Sequence, residues 1–267
     1  MPELPEVQTV LDGFAEAIKG KNILDLECYY PGTVIHDPEL QDEPFPAKMV
    51  SARRRGKYMI VELDNSSSFI IHLRMTGKLV FSTLAAEPLK HERARFILEG
   101  DELVHFIDIR TFGKIIHCAS TNVSSYLPKL GLEPLEQEFS YTLLAAKLKG
   151  KTAPIKTVLL DQSIIAGLGN IYVCEILYRT GILPTTPAGS LKPKSIKNII
   201  KECVTVLNLA IQMGGTSISD FRRIDDKTGE FQRFLQVYQK AECPQGHKTK
   251  RIVQGGRSSF FCPICQK

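Results

Sequence analysis

The spacing of apolar residues changes period twice along the chain, which limits the folds open to it. Leu4, Val7, Leu11, Phe14 and Ile18 recur at helical spacing, and Gly20 marks a stop. From Asn22 to about Cys118 the period becomes two. KYMIVEL (57–63), SFIIHLR (68–74), ARFILEG (94–100) and ELVHFIDIR (102–110) are short alternating or β-branched runs, with turn signals such as DNSS and EGDE between them. Helical spacing then returns. Residues 154–184 predict two helices split by a glycine-bearing double turn at AGLGN, and 195–213 predict a third, ended by Gly214-Gly215. The fold class expected is α+β and multidomain: an N-terminal helix plus β-sandwich, then a helical domain and a small C-terminal module. The boundaries expected are 1–125, a linker at 126–140, the helical domain at 141–240 and the module at 241–267. The polar stretch 216–232 has few apolar anchors and predicts a mobile loop.

The size, 267 residues, leaves room for two modest domains. No apolar run reaches the length of a membrane span, and MPELPEVQTV lacks the features of a signal peptide, so a cytoplasmic location and no membrane partner are expected. The net charge is +5, and its placement is informative. Residues 243–267 hold Lys248, Lys250, Arg251, Arg257 and Lys267 but no Asp or Glu; the rest of the chain balances at 29 basic against 29 acidic residues. A whole charge excess gathered in a short tail is the footprint of contact with a polyanion.

Cysteines sharpen the reading of that tail. Cys28, Cys118, Cys174 and Cys203 are scattered singly in apolar contexts, as small core residues of a reducing compartment are. Cys243, Cys262 and Cys265 cluster. Cys262-Pro-Ile-Cys265 is a knuckle whose two thiolates can reach one tetrahedral ion, and Cys243-Pro-Gln-Gly-His247 adds a thiolate and an imidazole. A redox pair or an ordinary turn is the competing reading. The complete Cys3His count favours one structural Zn2+, which would supply much of the folding energy of so small a hairpin. Arg257 falls between the two ligand pairs, at the hairpin tip, where a guanidinium can meet a phosphate.

At the other end, Pro2-Glu3-Leu4-Pro5-Glu6 precedes the first helix. Pro2 is small enough that removal of Met1 is expected, which exposes a secondary amine. An α-amino group titrates near ~8, well below lysine, so part of it is neutral and nucleophilic at physiological pH. The positive end of the adjacent helix lowers that value further. Attack on a sugar C1′ would give an iminium, and Glu3 stands beside it as a proton-transfer group. Yet Pro and Glu also open ordinary helices, so composition alone favours the plain reading.

PELPEV (2–7), RRGKY (54–58), HLRMTGKL (72–79), DIRTFGK (108–114), LLDQSIIAGLGNIY (159–172) and GGR…FCPICQ (255–266) together resemble the formamidopyrimidine-DNA glycosylase family over essentially the whole chain. The resemblance implies a helix and β-sandwich followed by a helix–two-turns–helix domain with a C-terminal zinc finger. It implies a monomer acting on damaged double-stranded DNA, excising oxidised purines and cleaving the abasic strand by β,δ-elimination. By resemblance Pro2 is the Schiff-base nucleophile, Glu3 the acid/base and Glu6 a supporting carboxylate, while Lys57 contacts the damaged nucleotide. Met75, Arg110 and Phe112 fill the void left by a flipped base; without the resemblance, Met75 and Phe112 read as core and Lys57 as a solvated lysine. Asn170 and Arg257 hold flanking phosphates, although Asn170 also reads as a helix N-cap. His72 approaches the backbone or is a satisfied strand histidine. The 216–232 stretch matches the lesion-capping loop, with Ser217 and Ser219 as candidates for base contact. Cys243, His247, Cys262 and Cys265 are the metal ligands.

Two departures from the family pattern stand out. Gln8 replaces the usual Glu, past the catalytic residues, where little effect is expected. The first zinc pair is Cys-x3-His in place of Cys-x2-Cys, which bears on metal affinity. Two other readings compete. An endonuclease VIII-like enzyme acts on oxidised pyrimidines, but typically has Gly at the position of Leu4 and takes its void fillers from one loop. A zinc-dependent DNA-binding protein without catalysis needs neither Pro2 nor Glu3.

Overall fold

The computed structural model describes residues 1–40, 44–83, 88–217, 224 and 227–267, and it falls into two compact units. The first comprises Met1–Pro128 and Met213–Glu230; the second comprises Lys129–Gln212 and Phe231–Lys267.

Helix α1 (Leu4–Ile18) opens the first unit. Glu3 and Glu6 form a reciprocal capping box, so two backbone donors that a helix start leaves orphaned are satisfied by side chains. The apolar stripe of the helix, Leu4, Val7, Val10, Leu11, Phe14 and Ile18, is wholly buried. Among the described residues nine strands follow: β1 (Asn22–Cys28), β2 (Val34–His36), β3 (Ala47–Arg55), β4 (Tyr58–Leu63), β5 (Ser67–His72), β6 (Lys78–Ser82), β7 (Glu92–Leu98), β8 (Glu102–Ile107) and β9 (Lys114–Ala119). They join in the order β2-β9-β5-β4-β3-β1-β7-β8-β6, antiparallel except for the parallel β2–β9 pair.

The join in the middle is slight. β1 and β3 pair only through Asn22 with Lys48 and Ile23 with Ala47, so the sheet folds there into two halves. Side chains of both halves share one core. Phe69 on β5 meets Phe96 on β7 edge to face at 5.1 Å, and Phe14 of α1 lies against the same ring at 5.1 Å. Strand β7 buries alternate residues, as expected of a layer with one wet face. Strand β5 is buried throughout, because Val123 of the short helix α2 (Val123–Tyr126) packs with Ile60, Ile70 and Cys118 on its outer side.

The second unit holds helices α3 (Tyr141–Leu148), α4 (Ile155–Leu160), α5 (Asn170–Arg179) and α6 (Pro193–Gln212), then the hairpin β10 (Lys250–Gln254) and β11 (Arg257–Phe261). The double turn between α4 and α5 is longer than AGLGN, starting already at Asp161. The Asp161 carboxylate accepts from the Ser163 N–H at 2.9 Å, an Asx turn that stops the helix. The Gln162 amide then staples the turn, donating to the carbonyls of Leu160 and Leu168 and accepting from the Gly167 N–H.

The division differs from the sequence boundaries in two respects. Met213–Glu230 groups with the first unit, not with the helical domain: Thr216 N–H donates to the Glu6 carboxylate at 2.7 Å, and Phe81 N–H to the Ile224 carbonyl at 3.2 Å. The C-terminal module is not separate from the helices. Gln266 donates to the Ile182 carbonyl at 2.7 Å, Leu183 N–H to the Lys267 carbonyl and Gln254 to the Pro184 carbonyl. Glu175, fully buried on α5, fixes the approach to the finger by accepting from the N–H groups of Gln236, Val237 and Tyr238.

Candidate active site and metal centre

The start of α1 is a buried polar corner. Pro2 is buried, Glu3 is 4% and Glu6 2% exposed, while Met1 stands out at 40%. One Glu6 oxygen accepts from the Glu3 N–H at 2.8 Å and the other from Thr216 N–H at 2.7 Å. A single carboxylate therefore ties the segment preceding the helix to the segment that follows α6. Next in that segment, Ser217 accepts from Gly229 N–H at 2.9 Å, which closes the base of the loop. Ser219 lies outside the described residues.

Lys57 sits on a two-residue turn between the paired Arg55 and Tyr58. Gly56 takes the first turn position at φ +59°, a left-handed conformation that suits glycine in hairpins of this length. Contrary to the reading from composition, Lys57 is not solvated: it is 6% exposed. Gln8 has more to do here than its position suggested. Its side-chain oxygen accepts from Arg54 Nε at 3.1 Å, and Arg54 in turn donates to the Gly56 carbonyl at 2.9 Å. The second turn of α1 thus braces the turn that carries Lys57.

His72, at the end of β5, is buried against the Tyr58 ring at 4.4 Å. Burial, with the nearby charges of Arg74 and Lys57, pushes its pKa down to about 3. Its Nδ1 accepts from Arg74 N–H at 2.9 Å, so the ring is neutral and Nε2 carries the proton. A neutral imidazole N–H beside two cations is a hydrogen-bond donor that neither adds to nor competes with their charge.

Met75 and Phe112 are not core residues. They are 39% and 49% exposed, on the β5–β6 and β8–β9 turns. Arg110 is exposed beside them, its guanidinium 4.9 Å from the centre of the Phe112 ring.

In the second unit, Asn170 is the first residue of α5; the cap is Gly169, so the N-cap reading does not hold. Asn170 Nδ2 donates to the Ser258 carbonyl at 2.9 Å, while its buried Oδ1 has no hydrogen-bond partner among the described residues. That bond links the helix start to the strand that begins at Arg257, an exposed residue just after Gly255-Gly256.

Cys243, His247, Cys262 and Cys265 bring one ligand atom each to within 4.8 Å of the others. Tetrahedral ligands at about 2.3 Å from a zinc ion place sulfurs roughly 3.8 Å apart. Cys243 Sγ and Cys265 Sγ are 3.9 Å apart, and His247 Nδ1 lies 3.9 Å and 3.3 Å from them. The donor set fits one zinc ion, with Nδ1 as the imidazole ligand. Gly246, at φ +76°, turns the chain between the two ligands, and its N–H donates to the Cys243 carbonyl at 2.8 Å while Cys243 N–H donates to the His247 carbonyl at 2.9 Å.

Three family descriptions match in order: the formamidopyrimidine-DNA glycosylase N-terminal domain over residues 1–115, its H2TH domain over 130–222, and the zinc finger found in FPG and IleRS over 246–267. The chain belongs to the formamidopyrimidine-DNA glycosylase family. A formamidopyrimidine-DNA glycosylase of Carboxydothermus hydrogenoformans is 40% identical, with 100% of both chains covered. Among solved structures, a Lactococcus lactis FPG mutant bound to a Fapy-dG containing DNA aligns at TM-score 0.92 with 36% identity, covering 100% of each chain. MutM in complex with carbocyclic 8-oxo-G containing DNA aligns at 0.90 with 36% identity, again covering 100% of each.

Family membership makes the chain a DNA-repair glycosylase with one structural zinc ion in the finger. The family's finger match begins at residue 246 and so omits Cys243. The structure supplies that fourth ligand from the turn before it. Sequence reasoning missed Asp108, whose carboxylate accepts from Gly113 N–H and the Thr76 hydroxyl, along with Thr76 and Glu175, and it set Gln8 aside as of little effect. Only Asp108 carried a signal, being an Asp that opens a turn two residues before Arg110.

Proposed function

We propose that this glycosylase excises oxidised purines, chiefly 8-oxoguanine and formamidopyrimidines, from duplex DNA and cleaves the abasic strand through a Schiff base on Pro2. The observation that carries the reading is the buried corner in which Pro2, Glu3 and Glu6 sit at the positive end of α1, tied to Thr216. A helix opening alone would not require that burial. With Met1 removed, the Pro2 amine attacks C1′ and the N-glycosidic bond breaks, its electron pair leaving with the base. Glu3 assists opening of the sugar ring by proton transfer. The iminium then acidifies C2′–H; loss of that proton expels the 3′ phosphate, and a second elimination expels the 5′ phosphate.

Flipping the target out of the stack costs a few kcal/mol, which Met75, Arg110 and Phe112 offset by filling the gap. Lys57 and neutral His72 hold the damaged nucleotide or its phosphate, and Asn170 and Arg257 the flanking phosphates. The lesions named for the aligned complexes, Fapy-dG and 8-oxo-G, support the purine assignment. The test is single-turnover excision from duplexes carrying 8-oxoguanine, a formamidopyrimidine or an oxidised pyrimidine. The purine lesions should be released at least tenfold faster, a difference of about 1.4 kcal/mol in barrier. Faster release of the pyrimidine would assign the chain the endonuclease VIII-like specificity instead.

A further inference from the structure

Two turns, each crossing between the two halves of the sheet, from β5 to β6 and from β8 to β9, present the exposed side chains Met75, Arg110 and Phe112, and the turns are separate in sequence. A fully buried carboxylate lies beneath both. Asp108 Oδ2 accepts from Gly113 N–H at 2.7 Å, and Oδ1 accepts from Arg110 N–H at 3.2 Å and from the hydroxyl of Thr76. The Thr76 hydroxyl oxygen also accepts from Arg110 N–H at 3.1 Å. From behind, Arg93 Nε donates to the Asp108 carbonyl at 2.7 Å, and Asp108 N–H donates to the His91 carbonyl at 3.0 Å.

The local backbone is costly. Arg74 and Thr111, each immediately before an exposed apolar residue, have φ of +53° and +60°, and neither is glycine. Such residues are strained and persist only where their surroundings fix them. Gly113 is needed for the approach of its N–H to the carboxylate: a Cβ there would lie 2.5 Å from the Phe106 ring and 3.1 Å from Asp108 Oδ2. Strain, a buried charge and two unpacked apolar side chains do nothing for the core. They make sense as a mount for what the turns present.

We propose that Asp108 and Thr76 are positioning residues that clamp the two turns together, so that Met75, Arg110 and Phe112 enter the DNA as one rigid wedge. This rests on the reading that those three side chains fill the void of the flipped base. Without the clamp the turns would sample other conformations independently, and each filler would pay its own ordering cost on insertion. The clamp settles that cost at folding, because one charge-assisted network fixes both turns.

The experiment is a double-mutant cycle on the full chain, reading single-turnover excision of 8-oxoguanine from a duplex together with the melting temperature. Thr76→Val should slow excision roughly tenfold, the rate equivalent of one charge-assisted hydrogen bond, while Thr76→Ser retains the wild-type rate. On a Phe112→Ala background, Thr76→Val should cost less than about twofold, because the wedge is already broken. Should Thr76→Val melt early, Asp108→Asn, which keeps the shape and removes the charge, is put through the same cycle. Losses that multiply across the cycle, or a Thr76→Val enzyme of unchanged rate, overturn the clamp while leaving void filling intact. A Phe112→Ala enzyme of unchanged rate removes the void-filling reading and the clamp with it.

Discussion

His117 shows how one side chain sets a condition on the whole first unit. Its ring is fully buried, and Nε2 lies 2.9 Å from the Ser67 hydroxyl, which itself donates to Asn65. Burial, then the neighbouring His36, pushes its pKa down to about 4. The folded value is below the ordinary histidine value near ~6.5, so the unfolded chain binds the proton more readily. The stability His117 contributes is complete above pH ~6.5 and is lost as the pH falls toward 4, by up to about 3 kcal/mol. Urea unfolding of the first unit should therefore weaken steadily over that range, and His117→Gln should flatten the slope; an unchanged slope would refute it. Single-residue environments were the least legible part of the sequence. Lys57 reads as solvated and is buried, while Met75 and Phe112 read as core and are exposed. Side-chain type reports average burial, and these residues are placed by turns whose backbone departs from the average.

At the scale of elements the sequence was far more informative. The opening helix, the four alternating strands and the long α6 all lie where their apolar period places them, because burial of one face is what forms them. The double turn before α5 was harder to read, since its length depends on the Asp161 and Gln162 side chains and not on any period. The metal hairpin was legible from four residues, as ligand chemistry admits few alternatives. His247→Ala should lower bound zinc from one per chain to a small fraction, measured by elemental analysis, and weaken DNA binding with it. Unchanged metal content would remove His247 from the ligand set. Tyr178, which packs against the cluster of Cys174, Val237, Cys243 and Cys262, had no spacing to announce it.

Across the whole molecule, family motifs revealed the order of domains but not how the chain is shared between the units. Residues 213–230 return to the first unit through hydrogen bonds to Glu6 and Phe81, long-range contacts that no local pattern encodes. Among the described residues no helix is long and apolar enough to cross a membrane. The charge excess sits in the finger, which also carries the exposed Arg257. Those features favour DNA binding, but binding alone does not need a buried Pro2 at a helix start. The most direct test of that residue's role is reductive trapping. Chain with Met1 removed, mixed with a duplex carrying 8-oxoguanine opposite cytosine, should become covalently joined to DNA when borohydride reduces the iminium. Chain with Met1 retained, or with Pro2 replaced by an N-terminally extended Gly, should give no adduct, whereas trapping that survives a blocked N-terminus would contradict the assignment of Pro2 as nucleophile.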